Sequence, residues 1–169
     1  MQSSSSIMLN EAQRFEAFFN HASMGIVVVN SKSLIQSVNP FALKLFGYKP
    51  EEIIDKPIEV LIPQRYHHKH VEHRDGYMHK PKSRPMGVGL DLFAVKKDGT
   101  EFPVEVSLGN YLTNGEKNVI AFISDISIRK KAEEEIEKLN DELEATVEQR
   151  TKDLRETMEQ LEISNDRLE

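Results

Sequence analysis

The order of hydrophobic and polar residues predicts a helix and then two strands at the start of the chain. Apolar residues recur at helical spacing between Met8 and Ala22 and would form one face of an amphipathic helix. Residues 1–7 before it are rich in serine and are expected to form a disordered leader. The β-branched run Gly25–Asn30 is too short for a helix, and Leu34–Val38 alternates apolar and polar positions, so these runs predict a β-hairpin.

Short helices are predicted after this hairpin. Asn39 can cap a helix that Pro40 begins and Gly47 ends. Pro50 begins another helix, with acidic residues in its first turn. One more helical turn should follow, and then a helix from about Gln64 to Tyr77.

Alternating runs after Pro85 predict the rest of a sheet. Two of them are joined by the turn signal "DG", and a second turn signal, "NG", precedes the last strand at Asn118–Ile128. Hairpin connections make the sheet antiparallel, and the helices must then cover one of its faces. The predicted fold class is therefore α+β, with the globular domain over residues 23–127.

The composition changes after Asp125. Half of the 28 acidic residues but only 8 of the 22 basic residues follow it, and no glycine, proline or aromatic residue does. This segment predicts a long helix over residues 128–169. An acidic helix beside a charge-balanced domain argues against nucleic acid as a partner, and no apolar run is long enough for a membrane segment.

An apolar seam along the long helix has coiled-coil spacing and predicts a parallel homodimer. The residues expected in this seam are Ile136, Leu139, Leu143, Val147, Leu154 and Leu161. Two consecutive four-residue steps, from Leu143 through Val147 to Thr151, insert a stutter into the repeat. Because a helix this polar needs a partner to stay folded, a second copy of the chain is the simplest partner.

Three phrases occur in the order and at the spacing of one known family: "NPFALKLFGYKPEEIIDKPIEVLIP", "KKDGTEFPVEVSLG" and "FISDISIRKKAEEEI". From Phe15 to Ile136 the chain resembles a PAS sensor domain. The resemblance implies a PAS fold, a five-stranded antiparallel sheet with short helices on one face that enclose a ligand pocket. It also implies a signal-input module that is not an enzyme and that often forms dimers.

The tail phrase "EEIEKLNDELEATVEQRT" is similar to linkers that lead into the dimerisation helices of bacterial sensor histidine kinases. The resemblance implies a two-component phosphorelay whose kinase lies downstream, because the chain ends within the helix. No histidine follows His79 to accept a phosphoryl group, and no glycine-rich ATP-binding box is present. A diguanylate cyclase, a transcriptional regulator, or a constitutive dimerisation module without a ligand are the alternatives.

The phrase "SDIS" joins the last strand to the long helix without a linker. It stands where the PAS family carries an Asp-Ile-Thr exit motif, with Ser127 in place of threonine. The resemblance implies that Asp125 caps the helix or pairs with a nearby cation. Asp125 and Ser127 are therefore the expected signal-coupling residues.

Five of the six histidines lie in the phrase "RYHHKHVEHRDGYMH". They are His67, His68, His70, His73 and His79. A zinc site needs three or four converging ligands, and the sequence offers no second ligand cluster. A solvated helix face is the simplest interpretation of the cluster, and its spacing does not favour pH sensing.

The resemblance supplies a haem hypothesis for one of these histidines. His70 falls where oxygen-sensing haem PAS kinases carry their iron ligand, and Arg84 falls near a residue that contacts a haem propionate. Leu90 departs from the family, since those proteins carry an oxygen-binding arginine there. Haem is thus one expected cofactor, and an unidentified small ligand or no ligand is the other expectation. Leu92 and Phe122 are expected to line an apolar pocket.

The absence of cysteine narrows the cofactor chemistry. It excludes disulfides, the flavin photosensors that form a cysteine adduct, and cysteine-linked chromophores. Noncovalent flavin stays open. A chain without cysteine is compatible with a reducing compartment, and the expected location is the cytoplasm.

Overall fold

The helices and strands alternate as an α+β domain followed by one long helix. The computed structural model describes the backbone of residues 4–71, 84–86, 92–113 and 115–166, and side chains within 11–71, 92–113 and 115–160. The helices are α1 (Ser4–His21), α2 (Pro40–Phe46), α3 (Pro50–Ile53) and α4 (Ser127–Asp166), with 3-10 turns at Ile58–Leu61 and Gln64–Tyr66. The strands are β1 (Gly25–Val29), β2 (Ile35–Val38), β3 (Arg84–Met86), β4 (Leu92–Val95), β5 (Glu101–Thr113) and β6 (Glu116–Asp125).

The strands form one antiparallel sheet in the order β2-β1-β6-β5. Strands β3 and β4 share the remaining position beside β5 because they pair with different parts of it. Met86 lies opposite Val106, and Leu92 lies opposite Val104. The sheet therefore has five strand positions, and the predicted five-stranded antiparallel fold is confirmed.

The core lies between one face of this sheet and the short helices. Side chains of Val27, Ile35, Phe46 and Ile53 are completely buried there. The rings of Phe46 on α2 and Phe102 on β5 lie 5.6 Å apart between their centroids. The helices that the sequence predicts over one face therefore seal the interior of the domain.

Asn39 is a buried polar residue at the centre of this packing, and its side chain uses its full hydrogen-bonding capacity. Its Oδ1 accepts from the backbone N–H groups of Ile26 and Ala42, each at 2.9 Å. Its Nδ2 donates to the carbonyl oxygens of Phe19 at 3.1 Å and Met24 at 3.0 Å. The predicted cap of α2 thus also holds the end of α1 and the start of β1.

The predicted start of the first helix and the predicted end of the last strand differ from the structure. Helix α1 begins at Ser4, so residues 4–7 are helical and do not belong to a disordered leader. The serines carry no apolar pattern, so nothing in the sequence indicates this additional turn. Strand β6 ends at Asp125 and not at the predicted Ile128, because α4 already begins at Ser127.

The predicted helix from Gln64 to Tyr77 begins with a 3-10 turn and not with an α-helical turn. The turn Gln64–Tyr66 is a 3-10 turn, and residues 67–71 continue as a helix. Residues 72–77 of that prediction lie outside the described part of the chain.

The chain divides into two compact units, Met1–Ser127 and Ile128–Glu169. The first unit contains the sheet and its short helices, and the second is the remainder of α4. Within the described ranges, no helix combines the length and the hydropathy that crossing a bilayer requires.

We expect Asn39→Ala to lower the free energy of unfolding by about 2–4 kcal/mol. The change removes a helix cap and leaves the partly buried carbonyls of Phe19 and Met24 without their side-chain donor. Urea denaturation followed by circular dichroism measures this loss.

Asn30→Ala is the matched control for this variant. Asn30 Oδ1 also accepts from two backbone N–H groups, those of Lys32 and Leu34, but it lies in a turn where water can replace it. Its replacement should cost less than half as much. An equal cost for the two variants would contradict the role assigned to Asn39.

Candidate ligand site and signal exit

A histidine–carboxylate pair lies on the helical side of the domain. Glu59 stands on the 3-10 turn Ile58–Leu61, which buries Leu61 in the core, and His70 stands on the helical segment 67–71. His70 Nδ1 lies 3.1 Å from Glu59 Oε1, and these side chains are only 21% and 13% exposed. A carboxylate so shielded from water needs polar partners, and the imidazole provides one of them.

The other histidines of the cluster have different positions. His67 Nε2 lies 2.8 Å from the carbonyl oxygen of Ile62, and this contact closes the turn before the helix. His68 is exposed, while His73 and His79 lie outside the described residues. In the parts of the chain that the structure describes, no three histidine or acidic side chains converge as a metal site.

The two residues predicted to line one pocket lie on opposite faces of the sheet. Leu92 pairs with Val104 and packs against the core. Phe122 pairs with Ile26 and Ser107, and its neighbours Ala121 and Ile123 are the ones that face the core. Because side chains alternate along a strand, Phe122 points away from the core, and its assignment to the pocket of Leu92 is wrong.

The remaining haem-related predictions stay untested by the geometry. Arg84 begins β3, but only its backbone is described. Leu90 lies outside the described residues. Among the residues predicted to contact haem, His70 is thus the one whose side-chain surroundings are defined.

A cation–aromatic cluster lies at the edge of the sheet, close to His70 in sequence. Arg65 forms an ion pair with Glu101, the first residue of β5. Its guanidinium carbon lies 4.6 Å from the ring centroid of Tyr66 and 5.8 Å from that of Phe93. The hydrogen bond to Glu101 is the main cause that raises the pKa of Arg65 above its ordinary value.

Two backbone N–H groups hold the exit from the sheet into α4, one through a backbone acceptor and one through a side-chain acceptor. The N–H of Ile126 donates to the carbonyl oxygen of Pro103 on β5 at 3.1 Å. The N–H of Ser127 donates to Asp125 Oδ1 at 2.8 Å. The carboxylate therefore satisfies one of the N–H groups at the start of α4 that the helix itself leaves without a partner.

The side chains of the predicted seam are exposed on α4. Exposed apolar side chains recur at Ile136, Leu139, Leu143, Val147, Leu154 and Met158. The side chain of Leu161 is outside the described set. Ion pairs between residues four apart, such as Lys138 with Glu142, lie on the polar faces of α4.

A family model for the PAS domain matches residues 23–127, which is more than half of the chain. The chain belongs to the PAS domain family. The crystal structure of the PAS domain of an HTR-like protein from Haloarcula marismortui has the same fold. It superposes with a TM-score of 0.59 at 21% identity, and the match covers 72% of this chain and 97% of that one.

Two curated relatives of the PAS domain are sensor proteins. Oxygen sensor protein DosP of Escherichia coli (strain K12) is 31% identical over 116 residues, which are 69% of this chain and 14% of that protein. Sensor protein FixL of Bradyrhizobium diazoefficiens is 25% identical over 118 residues, which are 70% of this chain and 23% of that protein. The chain therefore spans less than a quarter of the length of these relatives.

Sequence reasoning did not identify Glu59 or Arg65 as site residues. A weak signal existed for Glu59, which is the single charged residue in the apolar run "IEVLIP". No local signal existed for Arg65, because its partner Glu101 is 36 residues away and the contact depends on the fold.

We expect Asp125→Ala to speed amide hydrogen exchange at Ser127 by about threefold to tenfold, because the change removes the side-chain acceptor at the helix start. Asp125→Asn keeps an acceptor oxygen and should change the rate much less. Exchange measured by NMR on the folded chain tests both variants. Equal rates in wild type and Asp125→Ala would show that the carboxylate does not hold this end of α4.

Proposed function

We propose that this PAS domain senses a small ligand on the helical side of its sheet and reports the ligand state through α4 to an output domain. Membership of the PAS family and similarity to two sensor proteins support the sensory role. The observation that carries the proposed ligand side is the shielded His70–Glu59 pair. An imidazole of this kind can coordinate a metal ion or form hydrogen bonds with a ligand.

Haem is the cofactor we propose for this site. A histidine that binds a metal usually donates its other ring N–H to a carboxylate or carbonyl, and the Nδ1 contact to Glu59 has this arrangement. Haem iron is commonly held by such a histidine, and it would supply a binding position for a diatomic gas. The name of the Escherichia coli relative, an oxygen sensor protein, favours the same class of ligand.

The competing proposal is an apolar ligand, or no ligand, in the same part of the domain. The large side chains between sheet and helices are fully buried in the described structure, and Leu92 packs against them. The case without a ligand therefore needs no rearrangement of the described core.

Haem reconstitution of the purified chain distinguishes these proposals. We expect a Soret band in wild type, loss or a marked shift of the band in His70→Ala, and an unchanged band in the control His68→Ala. The control removes a histidine from the same helical segment at an exposed position. No Soret band in wild type, or an identical band in His70→Ala, would remove the haem assignment.

The replacement of Glu59 by glutamine adds a second measurement to this experiment. Loss of the carboxylate should make the histidine a weaker electron donor, because the negative charge beside Nδ1 raises its basicity as a ligand. We therefore expect the reduction potential of bound haem to rise in Glu59→Gln.

The output arrangement we propose is a parallel homodimer joined along α4. The apolar seam is exposed on α4, and Phe15 and Phe18 are exposed on α1, so both helices offer apolar surface for a second copy. A downstream histidine kinase is the proposed output, since the tail is similar to kinase linkers. If the output domain is a diguanylate cyclase or a transcriptional regulator, the same helix would carry the signal to it.

We expect Leu143→Asp to weaken the dimer by about tenfold or more, because two like charges would face each other inside the seam. Ala145→Asp is the matched control, since it adds the same charge to the same helix outside the seam. Sedimentation equilibrium over a dilution series measures both variants. A wild-type chain that is monomeric throughout, or equal effects of the two variants, would contradict the proposed seam.

A further inference from the structure

The side chain of Arg65 joins the segment that carries His70 to the sheet. Arg65 lies in the 3-10 turn Gln64–Tyr66, which runs directly into the helical residues 67–71. Its ion pair with Glu101 and its position beside the ring of Phe93 attach this turn to the β4–β5 hairpin. A displacement of the helical segment would therefore change the contacts of Arg65 with Glu101 and Phe93.

The attachment point on the hairpin is close to the start of α4. Glu101 and Pro103 are two residues apart on β5 and lie on the same face of the strand. Phe93, which contacts Arg65, is also the residue paired with Pro103. The carbonyl of Pro103 in turn accepts the N–H of Ile126, immediately before α4.

These contacts form a continuous physical connection from the histidine segment to the output helix. We propose that the Arg65–Glu101 ion pair is a latch that holds the start of α4 in place, by fixing the part of β5 to which Ile126 is hydrogen-bonded. A ligand that moves residues 64–71 would weaken or strengthen the ion pair between Arg65 and Glu101. This change would in turn weaken or strengthen the hydrogen bond from Ile126 to Pro103. The direction of signalling rests on the proposed sensory function, but the latch itself needs no ligand.

The chain contains a matched ion pair that should not act in this way. Lys97 bonds Glu52 on α3, with side-chain exposures of 48% and 34%, against 50% and 34% for Arg65 and Glu101. The hydrogen bond from Lys97 lowers the pKa of Glu52, as expected for an intact pair. This pair also ties a helix to the β4–β5 hairpin, but it does not involve the segment that carries His70.

Amide hydrogen exchange of the ligand-free chain tests the latch. We expect Arg65→Gln and Glu101→Gln each to speed exchange at Ile126 by roughly twofold to fivefold, the scale of a partly exposed ion pair. The double variant should exchange no faster than the faster single variant, because the two side chains act as one unit. Lys97→Gln should leave the Ile126 rate unchanged.

The amide of Ile35 serves as the internal reference, since it donates to the carbonyl of Lys56 inside the domain. Acceleration at Ile126 without acceleration at Ile35 supports the latch. Unchanged exchange at Ile126 in both single variants, equal acceleration at Ile35, or the same effect from Lys97→Gln would each overturn it. A chain that binds no haem but shows the expected exchange pattern would refute the haem proposal and leave the latch intact.

Discussion

The buried side chain of Asn39 is the interaction on which the arrangement of the domain depends. Two accepted and two donated hydrogen bonds join the end of α1, the connection to β1, β1 itself and the start of α2. A buried polar network is favourable only when each group is satisfied, and the amide of asparagine matches this set of two donors and two acceptors. Neither aspartate nor leucine can do so. The core face of the sheet and the helix that covers it are thus fixed relative to each other by one residue.

The candidate ligand site depends on a similar constraint, but its side chains are less buried than that of Asn39. Glu59 follows the apolar residue that begins its 3-10 turn, and the fold holds its carboxylate close to the core, where the imidazole of His70 compensates it. Arg65, in the turn before the helical segment that carries His70, attaches this part of the chain to the solvent-exposed edge of the sheet. One end of the segment is therefore held by a shielded pair and the other by an exposed one. The exposed contact is the weaker of the two and is the one that a bound ligand could change.

The sequence predicts this molecule best where the physical signal is local. Alternation along the strands, the cap at Asn39 and the DG turn, where Gly99 has a φ of 88°, follow from neighbours within a few residues. The wrong assignment of Phe122 to the pocket could have been avoided from neighbouring residues, because the buried positions Val119 and Ile123 put Phe122 on the other face of β6. The pairing of Arg65 with Glu101 had no local signal in the sequence, since it forms only where a turn packs against a hairpin. Contacts of this kind become visible only when the fold brings distant segments together.

In the proposed sensor, the coupling from the domain to α4 has to be small in free energy, and the contacts at the exit are of the right size. Coupling between two sites in a protein typically amounts to about 1–3 kcal/mol. A hydrogen bond such as that from Ile126 to Pro103 contributes about 1 kcal/mol net. Changing one or two contacts of this size is sufficient to shift an equilibrium by about tenfold, whereas losing the network of Asn39 would remove a large part of the free energy of unfolding. The proposed sensor would thus keep its strong interactions in the core and use weak ones between the histidine segment and α4, where a modest change in ligand binding alters them.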